Sequence, residues 1–158
     1  MPATMQDSAS FAPRMTPDEA RRRFSAARVA RLATVDATGR PHLVPIVFAV
    51  RGDTLYSAVD HKPKRTTALK RLANITANPQ VSVLVDHYED DWDRLWWARA
   101  DGRARVVPAG EEPELRASAL SALAGRYRQY LQQPPEGDLI VVEVERFSGW
   151  AATYSAGP

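Results

Sequence analysis

At 158 residues the chain has the size of one ordinary domain, long enough to bury a core unaided. Its 44% apolar and 25% charged content is typical of globular proteins, and no run of about 18 apolar residues offers a membrane span. The lack of cysteine excludes disulfides and thiolate chemistry and suits a cytoplasmic protein. A net charge of +2 allows an anionic ligand but falls short of the one-sided excess that nucleic-acid binders gather.

Residues 1–14 are small, polar and proline-containing, and read as a disordered lead to a single domain over 15–158. They contain no apolar core of a signal peptide. Thr16-Pro17-Asp18-Glu19 is a helix-start signature: a hydroxyl at the cap, proline at the first position and acids in the first turn. The helix is expected to reach about Ala27, with Ala20 and Phe24 inward and Arg21, Arg22 and Arg23 as solvated surface. Residues 28–36 alternate weakly and lead into Ala37-Thr38-Gly39-Arg40, a turn whose glycine suits a positive φ. The stretch 41–50 is apolar on both faces and predicts one strand covered on both sides. Pro45 in its middle donates no ladder hydrogen bond, so a bulge or a sheet edge is expected there. Gly52-Asp53 turns the chain into a third strand at 54–59, completing an antiparallel meander.

Between Asp60 and Asp86 lie 25 residues without an acid. Lys62, Lys64, Arg65, Lys70 and Arg71 crowd the first half, and Thr66 and Thr67 open a helical pattern that ends at Asn78-Pro79 before the apolar strand 81–85. Cations and hydroxyls at a helix start suit an anion. They equally suit a solvated face, and spacing alone leans that way. A nucleic-acid patch would want interleaved aromatics, and none lies between His61 and Tyr88.

The acidic loop 86–94 has no glycine for a sharp cation-binding turn and one histidine, His87, so no metal is expected. Residues 95–107 predict a long strand with a bulge or close backbone approach at Gly102. Acids at 111, 112 and 114 open a last helix to about Leu131, striped by Leu115, Ala119, Ala122, Leu123, Tyr127 and Tyr130. Two closing strands follow at 139–144 and 147–154. Six or seven mostly antiparallel strands with flanking helices favour a closed barrel, which removes exposed edges. The three histidines are scattered without a nucleophile-base pattern, and the four tryptophans read as core or interface anchors.

Four passages carry a resemblance. They are residues 31–36 with Gly39-Arg40-Pro41-His42-Leu43-Val44-Pro45-Ile46; Leu55-Tyr56-Ser57-Ala58 with the basic run from Lys62; Leu72-Ala73-Asn74-Ile75 through Asn78-Pro79-Gln80 to Asp86; and Asp91-Trp92 with 95–104. In these the chain resembles the pyridoxamine 5'-phosphate oxidase-like split β-barrel superfamily. The Lys-Pro-Lys-Arg run and the Trp-Trp strand point to its branch of deazaflavin (coenzyme F420)-dependent oxidoreductases. The resemblance implies a homodimer with cofactor sites at the subunit interface. It places the cofactor phosphate on Lys70 and Arg71, with Lys62, Lys64 and Arg65 adding charge for a longer anionic tail and Thr66 among the cofactor-binding residues. Pro45, Ile46 and Val47 would lie along the ring, Ser57 and Ala58 would border it, and Trp97 or Trp150 would close the pocket from either subunit. The expected activity is hydride transfer from reduced F420 to a small conjugated or unsaturated substrate. Tyr88, His87 and Tyr154 are candidates where a proton is needed. An FMN enzyme of the same fold, or a non-catalytic cofactor- or tetrapyrrole-binding barrel, is the alternative.

Overall fold

The computed structural model describes residues 14–59 and 65–153, with only the backbone described for 65–69. Of the disordered lead expected at 1–14, residues 1–13 lie outside the described residues, as do Lys62, Lys64 and Tyr154, while Arg14 is bridged to Trp150. Seven antiparallel strands form one sheet: β1 (Ala30–Val35), β2 (Pro41–Ile46), β3 (Ala49–Arg51), β4 (Thr54–Ala58), β5 (Gln80–His87), β6 (Trp96–Val107) and β7 (Leu139–Ala151). Four helices flank it: α1 (Pro17–Ala26), α2 (Arg65–Ala77), α3 (Pro113–Ala124) and α4 (Arg128–Gln132).

The strand order is β2-β1-β5-β6-β7-β4-β3. Strands β2 and β3, neighbours in the chain, therefore occupy opposite edges of the sheet. In a flat sheet six spacings would hold those edges roughly 29 Å apart. The chain from Ile46 to Ala49 spans at most about 11 Å. The sheet must curl until its edges meet, and residues 47 and 48 cross the seam. This replaces the expected meander with two separate hairpins, β1-β2 and β3-β4. It also divides the single strand expected over 41–50. Pro45 sits on the edge strand β2, where its missing N–H breaks no ladder. Nor is that strand covered on both sides within one chain, for Leu43 is 66% exposed.

Local signals set the rest. Thr16 Oγ1 accepts from the Glu19 N–H at 3.2 Å, and Ala20 and Phe24 on the inner face of α1 are fully buried. The arginines of α1 are engaged rather than merely solvated: Arg22 and Arg23 pair with Glu19, Arg21 pairs with Asp53, and Arg23 lies over Trp96. Gly39 has φ +87° in the β1-β2 turn. In β6 the register slips between Asp101 and Gly102, where Gly102 faces Val144 and Asp101 faces Arg146, so Glu145 is an extra residue in β7. A Cβ on Gly102 would stand 2.2 Å from the Glu143 carbonyl oxygen. Both features expected of Gly102 are present. Across the bulge β7 continues as one strand, replacing the two short strands expected there.

The long last helix is broken. α3 ends at Ala124 with Gly125 as its cap, and Tyr127 is extended, at φ −121° and ψ 113°, before α4 begins. The extended turn lets the Tyr127 hydroxyl enter the barrel, accepting from the Phe48 N–H at 3.1 Å and lying 2.9 Å from the Phe48 carbonyl and 3.0 Å from that of Arg28. Phe24, Phe48 and Phe147 pack ring to ring in the main core, with Leu32, Leu55, Val83 and Val142 around them. No helix among the described residues is long and apolar enough to cross a membrane.

Candidate functional site

A cleft of about 540 Å³ opens at the seam. Pro45, Ile46 and Val47 form one wall, Ser57 and Ala58 at the end of β4 another, and Arg71 lines it together with Tyr127, Gln129 and Tyr130. Six residues named from the sequence as cofactor-binding thus share one cavity. It lies here because the seam is where the ladder stops: β2 ends at Ile46, β3 begins at Ala49, and nothing pairs between them.

The walls are held from several directions. Ser57 is buried and its hydroxyl donates to the Val47 carbonyl at 2.9 Å, tying one border of the cleft to the other. Arg126 Nη1 donates to the Phe48 carbonyl at 3.0 Å, and its guanidinium carbon sits 5.1 Å from the Phe48 ring centroid. The crossing residues 47 and 48, which have no strand partner, are thereby fixed by side chains from β4 and the α3-α4 turn.

Arg71 is carried by α2 on the stripe that includes buried Asn74 and Ile75. Asn74 Nδ2 donates to Thr34 Oγ1 at 3.1 Å, anchoring the helix to β1. Arg71 is therefore turned toward the barrel, half-buried, whereas its neighbour Lys70 is exposed. Its Nε is buried without a hydrogen-bond partner, and no acid pairs with the guanidinium among the described residues. Burial pushes its pKa down. Among the described residues, Arg71 is the one charged side chain lining the cleft. His42 on β2 lies near the same pair: burial first, then the charges of Lys70 and Arg71, push its pKa down, and its Nδ1 is buried and unpartnered.

Arg65 and Thr66 open α2; where their side chains lie falls outside the described residues. Trp97 is elsewhere. It pairs with Trp150 on β7, while Ala58 pairs with Leu139, eleven residues away along the same strand and roughly 30 Å distant. Trp97, Trp150 and Tyr88 line a separate cleft of about 430 Å³ that shares no described residue with the first. In the acidic loop His87 Nε2 is held by Glu89, and Asp91 caps the short turn Trp92–Arg94. Sequence reasoning missed Tyr127, Gln129 and Tyr130, having assigned the tyrosines to a helix stripe. Their signal is two tyrosines just beyond a glycine, each with a hydroxyl that needs a partner when buried.

An anionic group with a flat apolar body fits what this cleft offers: an unneutralised guanidinium at one side, and backbone and small side chains along the other. No curated protein matches the sequence. Among solved structures, an FAD-binding protein from Mesorhizobium loti is 25% identical, at a TM-score of 0.67 over 89% of this chain and 97% of that one. A conserved hypothetical protein from Mycobacterium tuberculosis is 23% identical, with a TM-score of 0.65 over 91% of this chain and 93% of its own. HutZ, the heme storage protein from Vibrio cholerae, is 21% identical, with a TM-score of 0.64 over 87% and 95%. The last two show the common fold. The profile of the pyridoxamine 5'-phosphate oxidase family matches residues 16–151, nearly the whole described chain. With its seven-stranded split barrel and seam cleft, the chain belongs to the pyridoxamine 5'-phosphate oxidase family.

Proposed function

We propose that the protein is an oxidoreductase that binds reduced coenzyme F420 in the seam cleft and reduces a small conjugated or unsaturated substrate. The observation that carries the reading is Arg71: a half-buried guanidinium with an orphaned Nε, facing a cleft to which the described residues bring no carboxylate. Leaving such a group unpaired is costly, and a ligand phosphate removes the cost. Arg71 and Lys70 hold the phosphate in this reading, and Lys62, Lys64, Arg65 and Thr66 hold the remaining anionic tail. Pro45, Ile46 and Val47 flank the ring, and Ser57 and Ala58 limit its depth. Bound there, F420 would supply a hydride; the chain's own part is to orient the ring and exclude water.

Trp97 serves this site only from a second copy, because within one chain it is too far from the cleft. In this reading the protein is a homodimer with its cofactor sites at the interface, and exposed Leu43 on the edge strand suits such an interface. A flavin is the second reading, favoured by the FAD-binding relative at 25% identity. The basic run from Lys62 to Arg71 suits the longer, more anionic tail of F420 better than the single phosphate of FMN.

Fluorescence titrations with F420, FMN, FAD and hemin test this. Micromolar FMN or FAD binding without F420 binding overturns the cofactor assignment. F420 binding with no reduction of enones, quinones or biliverdin favours a non-catalytic binding protein. Replacing Lys70→Ala together with Arg71→Ala should weaken cofactor binding more than tenfold without lowering the melting temperature, and unchanged affinity refutes the phosphate site.

A further inference from the structure

The second cleft is built by one face of the β6-β7 ribbon. Three cross-strand pairs stack along that face with the two-residue period of a strand: Trp97 with Trp150, Arg99 with Ser148, and Asp101 with Arg146. Their alternates, Ala98, Ala100, Phe147, Gly149 and Ala151, are buried and face the core. The outward face is thus a short ladder with the tryptophans at one end, Arg99 and Ser148 in the middle and Arg146 at the other end. Arg14 joins it through a backbone bridge to Trp150, and Tyr88 adds a third aromatic from the end of β5.

Among the described residues, three guanidiniums and three aromatic rings line the cleft, and no carboxylate does. Of the arginines, only Arg99 is neutralised, its Nε 2.9 Å from Asp101, and its guanidinium carbon lies 5.5 Å from the Trp97 ring centroid. Arg14 and Arg146 make no ion pair among the described residues: Asp101, which stands across the ribbon from Arg146, is bound to Arg99. Ser148 Oγ is buried without a hydrogen-bond partner, between the tryptophan and arginine ends. The cavity, about 430 Å³, is in the range that holds a one- or two-ring organic molecule.

We propose that this cleft binds a planar organic anion, an aromatic or conjugated carboxylate, with its ring against Trp97 and Trp150 and its charge toward Arg146 and Arg14. Stacking on the tryptophans supplies affinity without demanding one ring system. The guanidinium fork recognises the carboxylate, and Ser148 completes it with a hydroxyl donor. Binding itself does not depend on the cofactor assignment. Only the further step rests on the reading above: if Trp97 faces the partner's cofactor, the bound anion is the substrate to be reduced.

Quenching of tryptophan fluorescence by 2-naphthoate, with uncharged 2-naphthamide as the control, tests the proposal on the full chain without cofactor. Naphthoate should bind saturably and at least tenfold more tightly than naphthamide. Arg146→Gln with Arg14→Gln should remove that preference while leaving naphthamide binding in place, and Arg71→Met should change neither. Equal binding of acid and amide, absence of saturable quenching, or a preference that survives the double arginine variant overturns the site. Loss of the preference in Arg71→Met instead would place the anion in the seam cleft and also overturn it. F420 titrations on the same double variant separate the readings, since Arg71 rather than Arg146 governs them.

Discussion

Arg71 is expected to lower the stability of the empty protein, and removing it should separate stability from binding. The side chain is half-buried, its Nε has no partner, and burial lowers its pKa because the charged form is poorly solvated. A fully buried unsatisfied polar group costs about 1–3 kcal/mol. Halved for its partial exposure, the cost at Arg71 is about 0.5–1.5 kcal/mol. Arg71→Met keeps the length and apolar stem of the side chain and removes the charge. At about 2–4 °C per kcal/mol for a chain of this size, the variant should melt roughly 1–6 °C higher than the parent. Thermal unfolding followed by circular dichroism, without ligand, reads this directly. The same variant should lose at least tenfold in cofactor affinity, so that saturating cofactor raises the melting temperature of the parent but hardly that of the variant. A variant that melts several degrees lower and binds as before would refute the reasoning, because Arg71 would then be a structural cation.

Gly102→Ala should destabilise severely, by about 3 kcal/mol or more, because the new methyl would stand 2.2 Å from the Glu143 backbone oxygen and neither strand has a flexible group to yield; urea unfolding measures it. Tyr127→Phe leaves the Phe48 N–H without its partner in a buried position and should cost about 1–3 kcal/mol, with a few-fold loss of cofactor affinity as the Val47 wall loosens. Glu19 has its pKa lowered from 4.5 to about 2, chiefly by its hydrogen bonds to Arg22 and then Arg23. Its contribution is present above pH 4.5 and disappears as pH falls through about 2. The unscreened value is about 3 kcal/mol. Screening at this exposed pair reduces it to about 1 kcal/mol. The stability difference between parent and Glu19→Gln, measured by urea unfolding at pH 7, 4 and 2.5, should therefore shrink with falling pH.

Features set by neighbouring residues were legible. The Thr16 cap, the Gly39 turn and the Asn78-Pro79 hand-over into β5 each follow from local stereochemistry. Asn78 shows why: its carboxamide oxygen accepts from the Gln80 N–H at 3.1 Å, a contact that needs no distant partner. What stayed hidden depends on residues far apart in the chain. The pattern over 41–50 reads as one strand because its apolar residues are continuous. It is two strands because Ile46 must end at one sheet edge and Ala49 begin at the other. Likewise the periodicity through Tyr127 is helical, but three contacts of its hydroxyl with Arg28 and Phe48 favour an extended turn. The grouping of Pro45 to Val47 with Ser57, Ala58 and Arg71 came from family resemblance, since spacing alone does not reveal that the seam brings them together. Trp97 shows the limit of the same approach, for resemblance names it without saying which chain's cleft it meets.

The two-residue crossing at 47 and 48 also has a kinetic consequence. Strand β4 has only two neighbours, β3 beside it in sequence and β7, whose pairing residues Leu139 to Glu143 lie some eighty positions later. The hairpins β1-β2 and β3-β4 can form as soon as their residues are available, but they cannot be joined into one sheet until nearly the whole chain exists. Such long-range closure is slow. During synthesis a β3-β4 hairpin would find its β7 partner only after β1, β5 and β6 have been made, so the seam cleft is expected to form late. A chain truncated before Leu139 would keep most of its strands and Arg71, yet have no cleft to hold a ligand.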